Sequence, residues 1–133
     1  MAPSGTFVLN ARTDTYFAGT TGDIFAETVE RAVRYVEAGA DCVFVPGVVE
    51  EDTIRRLAAA IPGPLNVVAG LANTIDAPTL FSLGVKRVSL GGSLARVALS
   101  VLERAGHELL ESGTLGFLDG AIGYADLQRR FGS

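Results

Sequence analysis

The chain is poor in the residues that staple or metal-lock small proteins. Its 133 residues include one cysteine, Cys42, and one histidine, His107. A single cysteine excludes an intramolecular disulfide and suits a reducing compartment, so a cytoplasmic location is expected. Cys42 lies inside an apolar run, Val-Phe-Val following it, which reads as a buried structural thiol. Zinc would have to rely on carboxylates, no ligand cluster is visible, and no metal site is expected within this chain. Positive charge is also scarce. Lys and Arg total 11 against 15 Asp and Glu, a net charge of −4, and Lys86 is the only lysine. That balance, with no basic run, argues against a nucleic-acid partner. Long apolar runs are missing as well. None approaches the roughly 20 residues of a membrane helix, and Met-Ala-Pro-Ser-Gly at the start lacks the charged and apolar regions of a signal peptide.

What is present is a chain with 48% apolar residues, long enough for one core and too short for two ordinary domains. Residues 1–133 are therefore expected to form a single domain. Phe7 to Ala11 reads as a first strand, apolar throughout except Asn10, as in a sheet covered on both faces. Thr13 to Gly22 reads as a loop punctuated by glycine. Asp23 is placed to cap a helix whose Phe25, Val29, Ala32, Val33 and Val36 recur at helical spacing, and Gly39 is placed to close it. Residues 41–45 read as a second strand, stopped by Pro46-Gly47. Glu50, Glu51 and Asp52 then open a helix. This acidic trio has the composition of a metal site, but complementation of the helix dipole accounts for it and is the favoured reading.

Leu65 to Ala69 reads as the third strand, with Asn66 as its polar member. Asp76 is placed to cap a short helix that Gly84 ends, and residues 85–90 read as the fourth strand. A long amphipathic helix follows Gly91-Gly92-Ser93, with a further short one from about Tyr124. Strand and helix alternate four times, which means βαβ units and a parallel sheet. Two closures are open: a doubly wound open sheet, or part of a (β/α) barrel. A complete eight-stranded barrel needs roughly 200 residues or more, so this chain has length for about half of one. Four strands with helices on one side would leave two sheet edges and one apolar sheet face uncovered, and a homo-oligomer is expected.

Two features could carry chemistry. Asn10 and Arg12 share one strand face by the two-residue period. Arg12 stands where a strand would deliver a guanidinium fork, suited to a carboxylate or phosphoryl group, into a binding crevice. The plainer reading is a solvated strand end with an ordinary ion pair. The second feature is Gly91-Gly92 ahead of a helix, either an anion site made of backbone N–H groups or only the turn between strand and helix. Together they imply a small anionic ligand, a carboxylate or phosphonate. His107, beside Glu108 on the polar side of its helix, reads as a surface residue. Tyr35 and Tyr124 read as packing residues.

The motifs Asn10-Ala11-Arg12-Thr13-Asp14, Glu30-Arg31-Ala32, Glu37-Ala38-Gly39-Ala40-Asp41, Val43-Phe44-Val45-Pro46-Gly47, Pro64-Leu65-Asn66 and Leu83-Gly84-Val85-Lys86-Arg87-Val88-Ser89-Leu90-Gly91 occur in that order. In this the sequence resembles the phosphoenolpyruvate mutase/isocitrate lyase superfamily, and its bacterial phosphonomutase-like branch in particular. The resemblance covers nearly the whole chain. It implies an α/β fold, a parallel (β/α)4 half of a TIM-type (β/α)8 barrel plus C-terminal helices. It also implies Mg²⁺-dependent cleavage or formation of C–C or P–C bonds in 2-oxo or enolate-forming acids, and usually a tetramer that exchanges its last helix between subunits.

The strand holding Arg12 looks like the fifth barrel strand, and residues 85–90 like the eighth. The first four strands, which carry the family's Asp metal ligands, its mobile loop and its carboxylate-binding Ser-Gly, have no counterpart here. Arg12 carries over as the cation for the substrate's acidic group. Pro46 departs from the pattern, standing where characterised branches have His or Glu. Two functions remain: half of a lyase or phosphonomutase that is inactive as an isolated chain, or a non-catalytic, self-associating half-barrel with weak anion binding through Arg12 and Gly91-Gly92.

Overall fold

The computed structural model describes residues 7–19, 21–70 and 75–132. Expectations for the first residues and for the loop after Gly70 fall outside them. The chain forms two compact units, Met1–Gly91 and Gly92–Ser133.

The first unit holds a parallel sheet of β1 (Asn10–Arg12), β2 (Cys42–Phe44), β3 (Leu65–Val68) and β4 (Arg87–Ser89). Its strand order is β1-β2-β3-β4, each strand paired with its sequence neighbour. This order decides between the two closures left open by the sequence. A doubly wound sheet reverses direction at a switch point. A strictly sequential order with right-handed crossovers lays every connecting helix on the same face, as in a (β/α) barrel.

The helices between the strands are α1 (Thr15–Ala18), α2 (Ile24–Glu37), α3 (Glu51–Ala60) and α4 (Ala77–Ser82). Asp23 caps α2 as expected, its carboxylate accepting from the backbone N–H groups of Phe25 and Ala26 at 2.9 and 3.1 Å. Asp76 caps α4 through the Thr79 N–H at 2.8 Å. Glu50, Glu51 and Asp52 stand at the start of α3, where their charge faces the positive helix end.

One sheet face carries Val43, Leu65, Val67 and Val88 and packs with Ala32, Ile54, Leu57, Leu80 and Leu83 into the core. Between α1 and α2 the Thr15 and Thr28 hydroxyls lie 2.6 Å apart, both buried. Thr28 spends its proton on the Ile24 carbonyl, so Thr15 is the donor of the pair. Two polar groups can then be buried without either being orphaned.

Several expectations are corrected. The first strand covers Asn10–Arg12, not residues 7–11, and Phe7, Val8 and Leu9 are exposed. The ladder stops because Asp41 intervenes: its carboxylate accepts the Leu9 N–H at 2.8 Å, and β2 begins only at Cys42. The Thr13–Gly22 loop contains the helical turn α1, and the other three strands are shorter than the apolar runs that announced them. The second sheet face is not apolar. By the two-residue alternation it carries Asn10, Arg12, Cys42, Phe44, Asn66, Val68, Arg87 and Ser89.

The second unit is a helical pair of α5 (Ser93–Glu111) and α6 (Tyr124–Phe131), joined through a 3-10 turn at Gly116–Leu118. No α5 residue is buried, and Leu94, Val97, Leu102 and Leu109 of its apolar stripe are exposed. Tyr124 is exposed rather than packed, whereas Tyr35 packs against the core. His107 is exposed, 3.3 Å from Glu111. Glu108 ties the turn to the helix. Its carboxylate accepts from the Thr114 hydroxyl (2.6 Å) and from the N–H groups of Gly116 (2.6 Å) and Phe117 (3.0 Å).

Candidate functional site

On the mixed sheet face of the first unit lies a cleft of about 490 Å³ lined by residues of all four strands, a volume typical of small-molecule sites. Arg12 of β1, Phe44 of β2, Val68 of β3 and Arg87 and Ser89 of β4 line it. So do Phe17 of α1 and Pro46, Leu90 and Gly91 of the loops beyond β2 and β4. The lining contains two guanidinium groups and no carboxylate, in a chain whose net charge is −4.

Arg12 ends β1 and is held from several sides. Its Nε donates to Asp14 Oδ1 at 2.7 Å. Its guanidinium carbon lies 6.0 Å from the centre of the Phe17 ring and 5.5 Å from that of Phe44, within the range of cation–π attraction. With Nε occupied by Asp14, the terminal nitrogens are left to take a carboxylate or phosphoryl group. The local sequence makes this arrangement possible. Asp14 follows two residues after Arg12, and Phe17 is delivered by the α1 turn, whose close approach to the loop after β2 requires Gly47. That glycine has φ +88°, and a Cβ there would lie 3.1 Å from the Tyr16 carbonyl oxygen and 3.2 Å from the Phe17 ring.

Asn10 precedes Arg12 on the same strand face, outside the cleft lining, with its Oδ1 buried and unpartnered among the described residues. Gly91 is at the cleft rim with φ +53°. Gly92 is the N-cap of α5, in the second unit, and does not line the cleft. Thus Arg12 and Gly91 come together in the cleft, and neither Asn10 nor Gly92 is among its lining residues. Pro46 is buried and lines the cleft, where it brings neither charge nor a donor.

Arg87 was not singled out in the sequence. In the run Val85-Lys86-Arg87-Val88 either cation could face solvent, and only pairing decides between them. Arg87 is in register with Asn66, and Asn66 with Phe44, so Arg87 lies on the cleft face. Asn66 is fully buried and closes on Ser89, whose Oγ lies 3.0 Å from its Nδ2 and 3.1 Å from its Oδ1. Cys42 shares this face and is buried. Burial pushes its thiol above the ordinary range while the Arg87 charge pulls it down.

A family model described as phosphoenolpyruvate phosphomutase matches residues 1–110. An uncharacterized protein of Mycobacterium tuberculosis is 37% identical over 122 residues, 92% of this chain and 45% of its own length. A probable 2-methylisocitrate lyase of Corynebacterium glutamicum is 34% identical over 118 residues, 85% of this chain and 37% of its own length. Among solved structures, a Burkholderia cenocepacia J2315 protein matches 99% of this chain and 47% of its own, with a TM-score of 0.87 and 38% identity. A 2,3-dimethylmalate lyase of the PEP mutase/isocitrate lyase superfamily matches with a TM-score of 0.76 and 26% identity, over 94% of this chain and 44% of its own. The chain spans about half the length of the relatives it matches or less.

Proposed function

The chain belongs to the phosphoenolpyruvate phosphomutase family, within the PEP mutase/isocitrate lyase superfamily, and on that premise we propose that its cleft binds the acid group of a small 2-oxo or enolate-forming acid. The observation that carries this reading is Arg12, seated by Asp14, Phe17 and Phe44 in a cleft with no lining carboxylate. A fixed guanidinium facing an acid group neutralises charge that grows as an enolate forms, and a preorganised cation does this without reorganising during the reaction. Gly91 lets the backbone approach the bound group closely. Asn10, on the same strand face but outside the cleft lining, holds a buried amide oxygen with no partner among the described residues.

The Mg²⁺ that the family resemblance implies does not fit these residues. The cleft lining is cationic, and the described residues contain no group of three or more His, Cys, Asp or Glu able to hold a metal. This chain's contribution is therefore to bind and orient the acid. Bond cleavage belongs to a barrel that also has the family's metal-binding strands, and the chain by itself turns over no substrate.

Calorimetric titration with oxaloacetate or phosphonopyruvate tests the Arg12 role. Arg12→Ala is expected to abolish binding with an unchanged thermal melt, since Arg12 is half exposed and outside the core. Equal affinity in the mutant refutes the assignment. A second reading, a self-associating half-barrel without catalysis, is favoured by a different observation: among the described residues, β1 and β4 each pair on one side only.

A further inference from the structure

We infer that a second copy of this chain closes the open edges of the sheet into an eight-stranded barrel, β4 of each copy pairing in parallel with residues 8–12 of the other. This deepens the self-associating reading given above and rests on it. Among the described residues, β1 and β4 each pair on one side only. The strand order is sequential and every pairing is parallel, the arrangement of a (β/α) barrel that closes at eight strands. Two copies of a four-stranded sheet supply that number, related by a two-fold axis along the barrel. Both joints are then the same, the β4 edge of one copy against the β1 edge of the other.

The register of the joint follows from barrel geometry. Such a barrel has a shear of about 8 residues, so each of two identical halves must supply about four. Within one copy Arg12, Phe44, Asn66 and Arg87 are level with one another and add no shift. The whole step therefore falls at the joint, and it sets Arg87 opposite either Tyr16 or Val8 of the second copy. Tyr16 lies in α1, where its backbone is helical. Val8 precedes β1 and is exposed, as are Phe7 and Leu9. An even step also keeps the faces matched, with Val8 and Arg87 on the cleft face and Leu9 beside Val88 on the other.

The backbone groups of the two edges agree with this register. The Cys42 N–H donates to the Leu9 carbonyl at 3.2 Å, and the Thr13 N–H to the Phe44 carbonyl at 3.0 Å. Leu9 and Thr13 thus face β2, and Val8, Asn10 and Arg12 turn to the free edge. On β4 the Ser89 carbonyl accepts from the Ala69 N–H at 2.9 Å, so Val88 and Leu90 turn to the other free edge. A parallel ladder needs the two sets to interleave. With Arg87 opposite Val8 they do, Val88 falling between Val8 and Asn10, and Leu90 between Asn10 and Arg12. The same register brings Ser89 of the second copy beside Asn10 and Gly91 of the second copy beside Arg12. Each cleft is then completed across the joint.

The test is disulfide crosslinking of the full chain, beside light scattering of the wild type. Val8→Cys combined with Arg87→Cys places thiols on strands that closure sets about 4.8 Å apart, within disulfide reach. Mild oxidation is expected to convert this variant to a species of twice the chain's mass on a denaturing gel. Arg12→Cys combined with Arg87→Cys, the pair that a joint without the step would align, is expected to remain at the mass of one chain. That pattern upholds the inference. In a wild type that scatters as a dimer or larger, crosslinking of both pairs alike, of the second alone or of neither overturns the closed barrel and leaves self-association standing. A monomeric wild type overturns both. If the variants do not fold, amide exchange of the wild type decides. Protection of the Asn10, Arg12, Val88 and Leu90 N–H groups upholds the joint, and their rapid exchange overturns it.

Discussion

Burial raises the Cys42 thiol above its ordinary range, and the Arg87 charge only partly opposes this. A thiol is nucleophilic as its thiolate, so the native chain should react slowly with an aromatic disulfide reagent and fully once unfolded. Reaction of the folded chain at the unfolded rate would show that Cys42 is reachable and activated, contrary to its burial. The apolar run around Cys42 made its burial legible in the sequence, because a continuous apolar run bounded by Pro46-Gly47 is a local property. Arg87 was not legible. Whether Lys86 or Arg87 faces the cleft depends on pairing with Asn66, twenty or so positions away, and a one-residue slip would exchange them. Arg12 announced itself because a polar group directly after a short apolar run is visible locally. Its seating by Phe17 was hidden, since α1 is only four residues long and leaves no period to detect.

At the scale of elements, close approach and capping decide most outcomes. Gly84 ends α4 at φ +100°, and a Cβ there would meet the Ala58 Cβ of α3 at 2.9 Å. Gly84→Ala must adopt a left-handed conformation and push α3 away as well. The expected cost is roughly 1–3 kcal/mol, read as a lower urea midpoint with an unchanged slope. An unchanged midpoint would mean that α3 and α4 do not pack this closely.

In the second unit, hydrogen bonds from the Thr114 hydroxyl, and from the Gly116 and Phe117 amides, hold the Glu108 carboxyl below its ordinary range against partial desolvation. A depressed carboxyl stabilises the folded form above the unfolded pKa, about 4.3, and that contribution is lost as pH falls through the lower folded value. The Gly116 and Phe117 amide resonances should therefore shift together only on acidification below the ordinary carboxyl range, and should already be shifted at neutral pH in Glu108→Gln. The helix caps at Asp23 and Asp76 could be read in the sequence, since each is an Asp directly before an apolar-periodic run. The Glu108 tether could not, because it spans a turn whose geometry no short pattern encodes.

For the whole molecule, the sequence settled the α/β class through its alternation, and the strand order then settled the closure. Among the described residues, β1 and β4 each pair on one side only, and α5 leaves apolar side chains such as Leu94, Val97 and Leu102 exposed. Unpaired edge strands recruit other strands. Light scattering behind a sizing column should accordingly give a mass of a dimer or larger, and a monomer persisting at high concentration would mean that these surfaces are tolerated in water.

The sequential strand order also bears on how the chain reaches this state. Asn10 pairs with Cys42, Val43 with Leu65 and Asn66 with Arg87, so no pairing waits for a strand that arrives out of turn. Each βα unit can dock as it leaves the ribosome, growing the sheet one strand at a time in the order of synthesis. Loop-closure entropy is then met in short instalments, which favours rapid folding for a parallel sheet. The cleft is completed last, because Arg87 and Ser89 of its lining arrive with β4. A ribosome-stalled chain ending before Val85 should therefore fold helices yet lack the β4 side of the cleft.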